Sequence, residues 1–195
     1  KEKSLDSSEA EAKELINKFT IKKLPALLLS NDIDAYPEIS QSLSQLKSKD
    51  GSYYVMESQA PYVEAESGKL RGLAKLTLLN DSSCKECYNV EIHKSIIARF
   101  GIALDEEKNV DAGSAEGKQL ISKYSIKSIP AIVLTGDLKI YEGFNTVWKQ
   151  VGTVETDGAY VFREISAMGP NMAYKDTATN EVKKVEAPQQ PTGQQ

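Results

Sequence analysis

Cysteine is nearly absent from this chain, with two residues in 195, Cys84 and Cys87. Two thiols exclude a multi-disulfide scaffold and a four-thiolate zinc site. Histidine and tryptophan occur once each, as His93 and Trp148. Long apolar runs are missing too. The longest, residues 24–29 and 129–134, fall far short of the ~20 residues a membrane-spanning helix needs. An excess of positive charge is also lacking: 24 Lys and Arg stand against 28 Asp and Glu, a net charge of −4 with pI near 5.2. Nothing in that balance favours nucleic acid as a partner. With 40% hydrophobic and 27% charged residues the composition is that of a soluble globular protein. Its 21.4 kDa suit one generous domain or two small ones. The chain opens at Lys1 with neither an initiator methionine nor an apolar leader, which reads as a removed targeting segment or a trimmed start. Residues 185–195, VEAPQQPTGQQ, read as a flexible tail, either a tether or a frayed end.

What is present is a repeat. Residues 2–36 align without a gap on residues 107–141, with 16 identities in 35 positions. Ordinary residue usage gives roughly two or three. The clearest stretch sets EAKELINKFTIKKLPALLL, from Glu11, beside EGKQLISKYSIKSIPAIVL, from Glu116. Pro25 matches Pro130, and Tyr36 matches Tyr141. A weaker match resumes at Asp50-Gly51-Ser52-Tyr53 and Asp157-Gly158-Ala159-Tyr160. The second copy is preceded by residues 73–106, which hold both cysteines, and the first has no such section within this chain. The expected organisation is therefore a partial unit over 1–72, a complete unit with a β-rich appendage over 73–184, and the tail.

In the complete unit, Leu73–Asn80 has the length and composition of a strand, and the polar cluster Asn80-Asp81-Ser82-Ser83 is a helix-start signal. Tyr88, Ile92, Ile96 and Phe100 recur every four residues, so the pattern predicts a helix from Cys84 to Phe100 with that face inward. A strand is predicted within 102–110, then a helix opened by Ser114 with Leu120, Ile121 and Tyr124 inward. Further strands are predicted at 131–135 and 138–141, the latter after a Gly136-Asp137 turn, with a short helix at 145–151 carrying Trp148 in the core. The fold class is α/β, in the order β-α-β-α-β-β-α, followed by turn-linked strands.

A Cys-x-x-Cys where a strand meets a helix has a chemical use. Cys84 at a helix N-terminus would have its thiolate favoured by free N–H groups and the macrodipole. Cys87, one turn on, would be placed to attack a mixed disulfide formed at Cys84. An inert structural bridge and half of a zinc site remain as alternatives. Zinc would need four ligands, and His93 is the only histidine available.

Ser82-Ser83-Cys84-Lys85-Glu86-Cys87 after a strand, with Tyr124-Ser125-Ile126-Lys127-Ser128-Ile129-Pro130 placing Pro130 43 residues beyond Cys87, resembles the thioredoxin superfamily, disulfide isomerase-like tandem members included. The resemblance covers residues 73–151 fully and 2–46 in part. It implies a thioredoxin-like fold, with Cys84 as nucleophile, Cys87 as resolving thiol and Pro130 as a cis-proline. It further implies that the backbone of Ile129 is exposed, ready to pair with a substrate strand. Neither a metal nor a cofactor is implied. This sequence departs from the pattern in having Lys-Glu between the cysteines, Ser83 in place of a tryptophan, and Leu78 where an acidic residue stands six positions before the first cysteine. Asp81 is the nearest carboxylate, a candidate for proton transfer or for a helix cap.

The expected function is that of a thiol–disulfide oxidoreductase acting on protein thiols or disulfides, its direction left open. The rival is a noncatalytic adaptor binding peptides at its proline loops. No nucleic acid and no membrane span are expected. Residues 1–72 lack a strand central to the resembled sheet, so an upstream unit or a second copy of the chain is expected to complete them. An exported or membrane-tethered, extracytoplasmic location is favoured over the cytoplasm.

Overall fold

The computed structural model describes residues 2–186, so residues 187–195 of the expected tail lie outside the described residues. The chain is mixed α/β and divides into two compact units, Lys1–Arg71 and Gly72–Gln195.

In the first unit, helix α1 (Ala10–Phe19) stops at Thr20, which takes the left-handed conformation at φ 56° and returns its N–H to the last turn. Two short strands follow, β1 (Lys23–Leu24) and β2 (Ala26–Ser30), separated by Pro25. Then come a 3₁₀ turn at Asn31–Ala35, helix α2 (Pro37–Ser42), and strands β3 (Tyr53–Glu57), β4 (Tyr62–Glu64) and β5 (Leu70–Arg71). β2 pairs antiparallel with β3 in a two-stranded sheet, and β1, β4 and β5 form a second small sheet in that order.

The second unit opens with the elements that the first does not have: β6 (Leu73–Asn80), helix α3 (Ile92–Arg99) and β7 (Ala103–Asp111). Next come α4 (Ala115–Tyr124), β8 (Ser128–Ile129), β9 (Ala131–Gly136), α5 (Glu142–Val151), β10 (Gly152–Val154) and β11 (Tyr160–Phe162). The hairpin β12 (Ala173–Asp176) and β13 (Val182–Lys184) closes the series. From α4 onward this repeats the first unit, except that among the described residues β10 has no matching strand there, only an isolated bridge between Lys47 and Tyr54. α4 and β8 lie 105 positions after α1 and β1, and Ser125 ends α4 at φ 48° as Thr20 ends α1. The bonds Leu24–Pro25 and Ile129–Pro130 are both cis.

The main sheet has five strands in the order β10-β11-β9-β6-β7. β6 runs parallel to β7 and antiparallel to β9. Leu76, Leu78, Leu79 and Leu134 are at most 1% exposed on these central strands. Burial of each is worth about 1.5–3 kcal/mol. One face of this sheet packs Val110, Ala131, Val133 and Val161 against Tyr124 and Ile126, with Leu120 and Ile121 at the margin. On α5 and beside it, Phe144, Trp148 and Tyr160 stack with centroids 5.0–5.8 Å apart, so Trp148 is a core residue.

Two sequence expectations are corrected. Residues 138–141 are not a strand: Leu138–Ile140 is a 3₁₀ turn, held by the Asn145 amide, which donates to the carbonyls of Leu138 and Tyr141 at 2.9 and 2.8 Å. The first helix of the unit also starts at Ile92, not Cys84, and its buried face is His93 and Ile97, while Ile96 is 37% exposed.

The two units differ where β6 and β7 are present or missing. Ile132 of β9 is 1% exposed, whereas its repeat counterpart Leu27 of β2 is 53% exposed. Among the described residues, β2 pairs with no strand but β3. Gly117 of α4 lies so close to the end of β7 that a Cβ there would stand 2.1 Å from the Asp111 carbonyl oxygen. The matching residue of α1, Ala12, carries a Cβ and is buried. Replacing Gly117 by alanine is therefore expected to destabilise the second unit by about 1–3 kcal/mol through overpacking, although alanine is the better helix former by ~1 kcal/mol. Denaturant unfolding followed by Trp148 fluorescence measures it; a stabilised variant would contradict the close α4–β7 approach.

Candidate functional site

Sheet register assembles the site. Because β6 and β9 are antiparallel neighbours, with Leu79 opposite Ala131, the exit from β6 and the entry to β9 lie at one end of the sheet. The first leads into the Cys84–Cys87 segment and the second follows the Ile129–Pro130 bond. β7 ends there too, with Asp111 beside Asn80.

Past Asn80 the chain turns instead of entering a helix. The Asp81 carboxylate accepts from the amide and hydroxyl of Ser83 at 2.8 and 2.5 Å, and the Cys84 amide donates to the Asp81 carbonyl at 3.0 Å. The Ser82 amide donates to the Asp111 carboxylate at 2.8 Å. Such side-chain-to-backbone bonds offer the chain an alternative to helix. The Tyr88 amide, which a helix would direct back to Cys84, instead donates to the Ala173 carbonyl at 2.9 Å. Asn89 then accepts from the Glu91 amide at 3.0 Å, just before α3 begins.

Cys84 and Cys87 form a disulfide across this turn, with Cα atoms 5.4 Å apart. Both are half-buried, and Ser82, Ser83, Lys85 and Glu86 around them are exposed. The expected support for the Cys84 thiolate from a helix N-terminus is not in place, since that terminus lies at Ile92. A different cation is near. The Lys175 ammonium of β12 bonds the Asp81 carboxylate at 2.8 Å and the Ser83 hydroxyl at 3.3 Å. The side chains of this pair are only 17% and 13% exposed.

Asp81 is thus an anchor of the turn and not a helix cap. Burial pushes its pKa up, but the Lys175 ammonium and the Ser83 hydroxyl and amide outweigh this and hold it down at about 2. A carboxylate so held is a weak base at neutral pH, which makes it a poor proton carrier.

The Ile129–Pro130 bond is cis, and the loop that carries it lies beside Cys87. The Ile129 carbonyl oxygen is 3.8 Å from Cys87 Sγ. The Tyr88 hydroxyl donates to the Pro130 carbonyl at 3.0 Å and lies 3.0 Å from His93 Nε2. With the phenolic proton so committed, Nε2 carries the imidazole proton and donates it to the Tyr88 oxygen. His93 is 2% exposed, and burial pushes its pKa down to about 4, so it is neutral at pH 7. The expectation of an open Ile129 backbone is corrected: Ile129 is 3% exposed, and β12 is hydrogen-bonded along β8, with Lys175 opposite Ile129 and Asp176 opposite Ser128.

Sequence reasoning missed Lys175, Tyr88 and the cover of Ile129. Lys175 follows Asp81 by 94 residues, and no local pattern marks it. The sequence pattern places Tyr88 on an amphipathic face, and its position next to Cys87 is the signal that marks it for the site. Among the described residues no group of three or more His, Cys, Asp or Glu is placed to hold a metal ion, and no helix is long and apolar enough to cross a membrane. Comparison with protein-family models, curated proteins and solved structures returned no match.

Because Asp81 titrates lower when folded than its ordinary ~3.9, its bond to Lys175 contributes stability that is complete above pH ~4 and lost as the pH falls through about 2. Asp81→Asn is expected to cost on the order of 1–2 kcal/mol at pH 7. The gap between the two proteins in denaturant titrations should shrink as the pH falls from 4 to 2; a gap undiminished at pH 2 would contradict this assignment.

Proposed function

We propose that the chain is a thiol–disulfide oxidoreductase working through Cys84 and Cys87, and that Gly72 onward is a thioredoxin-like unit preceded by a partial copy of itself. The observation that carries the reading is the disulfide on an exposed turn at the end of a central strand, with the carbonyl before a cis-proline 3.8 Å from Cys87 Sγ. Support for the fold comes from the parallel β6-α3-β7 unit, the antiparallel β9 beside it, and the repeat of the later elements in residues 2–71.

In the reducing direction, the Cys84 thiolate attacks one sulfur of a disulfide and forms a mixed disulfide, while the departing thiolate takes up a proton. The Cys87 thiolate then attacks Cys84 Sγ, closes the Cys84–Cys87 bond and releases the second thiolate, so two electrons pass to the substrate. The oxidising direction is the reverse, and the reduction potential of the pair sets which one prevails. The chain holds no third cysteine to divert either intermediate. Cys84 is taken as the sulfur attacked, because Cys87 Sγ is backed by the Ile129 carbonyl while both residues are half-buried.

The adaptor reading needs open proline-loop edges. Both are occupied by the chain's own strands, β4 on β1 and β12 on β8, which weighs against it.

Cys87→Ser is expected to accumulate a mixed disulfide at Cys84, and Cys84→Ser to abolish exchange, dropping the rate by about 10³ or more. Mass spectrometry after acid quenching detects both. Exchange at an undiminished rate in Cys84→Ser would sink the proposed order of attack.

A further inference from the structure

We propose that the hairpin β12–β13 makes Cys84–Cys87 a site for low-molecular-weight thiols and disulfides, one that gives an extended polypeptide no docking advantage. This rests on the thiol–disulfide exchange proposed above and adds the substrate class.

An extended polypeptide docks beside a reactive sulfur by adding a strand, which requires an unpaired backbone edge. The backbone edge at these sulfurs is that of Ile129, and β12 already fills it. Neighbouring groups are engaged by the same strand. The Thr177 amide donates to the Lys127 carbonyl at 2.9 Å, and the Thr177 hydroxyl donates to the Ile126 carbonyl at 2.8 Å. Ala173 receives the Tyr88 amide at 2.9 Å. The half-buried Lys175–Asp81 ion pair then ties β12 to the turn that precedes Cys84.

This cover belongs to the construction of the unit. In the first unit β4 takes the same place on β1, with Leu24 opposite Val63, and the Ala65 amide donates to the Lys22 carbonyl as Thr177 does to Lys127. No cysteine is present in that unit, so the hairpin is not a response to the redox state of one.

What remains at the disulfide is a turn whose exposed charges, Lys85 and Glu86, cancel. The cleft of about 370 Å³ beside the proline loop is lined by Lys127, Pro130 and Arg163 among others, and by neither cysteine. A small thiol needs no groove, only a line of approach to Cys84 Sγ. Its thiolate attacks that sulfur, the Cys84–Cys87 bond breaks, and Cys87 leaves as a thiolate and is protonated. A second small thiolate attacks the sulfur of the first, releasing reduced Cys84 and a small disulfide. Two thiols are oxidised and one protein disulfide is reduced.

The test reduces the oxidised full-length chain with glutathione and with an extended single-cysteine peptide of matched thiol pKa, counting released protein thiols by alkylation and mass. Rate constants within about threefold of each other are expected, because neither thiol gains a docking edge. Thr177→Pro removes the amide that holds the hairpin to Lys127, and it should raise the peptide rate while leaving the glutathione rate unchanged. A peptide faster than glutathione by about tenfold or more in the wild-type chain overturns the proposal, and that comparison stands even if Thr177→Pro does not fold. A folded Thr177→Pro whose Ile129 amide exchanges freely, yet whose peptide rate is unchanged, also overturns it. If neither thiol reduces the disulfide, the oxidoreductase reading falls as well, which separates the two failures.

Discussion

The antiparallel ladder between β6 and β9, from Ala74 opposite Gly136 to Leu79 opposite Ala131, is the constraint from which the geometry of the cysteine turn follows. Two segments 43 residues apart meet at the cysteines because one leaves the sheet where the other enters it. The parallel neighbour β7 brings Asp111 to the same end, where it takes the Ser82 amide and fixes the start of the turn. A slip of one residue in this ladder would exchange the two faces of β9, so the buried side chains that lock the register also lock Cys87 against the Ile129 carbonyl.

The first unit shows the same later elements without that ladder. Among its described residues only three hydrophobic ones, Ala12, Ile21 and Tyr54, are buried. Leu27 is exposed where Ile132 is enclosed, and Ala12 has room for a methyl group where Gly117 has none. Each difference is local and traces to the same cause: a strand, or the end of one, stands beside one copy of the residue and not beside the other.

Much of this was legible in the sequence. The repeat, the strand before the cysteines and the Ser114 cap depend on short-range signals or on comparing the chain with itself, whereas the placing of the proline loop opposite the Cys-x-x-Cys was an implication of the family resemblance. The helix at Cys84 failed because its signals were real but outcompeted. The Asp81 carboxylate does take a backbone amide, that of Ser83, as a cap would, yet it closes a turn, and the Tyr88 amide is claimed by Ala173 of β12. The face of α3 was misjudged by one position because His93, the polar residue of the pair, is the one drawn inward by the Tyr88 hydroxyl and by the Phe162 ring 4.7 Å away. Lys175 and the strand over Ile129 were out of reach, since long-range pairing leaves no periodicity to read. The thioredoxin likeness itself rests on the Cys-x-x-Cys and proline-loop residues of the sequence.

The chain of bonds from His93 through the Tyr88 hydroxyl to the Pro130 carbonyl has a practical side. His93 is the only histidine, so its ring protons give one isolated set of signals in a proton spectrum, and they arise within two side-chain contacts of the disulfide turn. Trp148, equally solitary, lies across the main sheet's aromatic cluster, where it senses unfolding of the core. The protein thus carries two unlabelled reporters, one tuned to the state of the cysteine loop and one to the integrity of the fold beneath it.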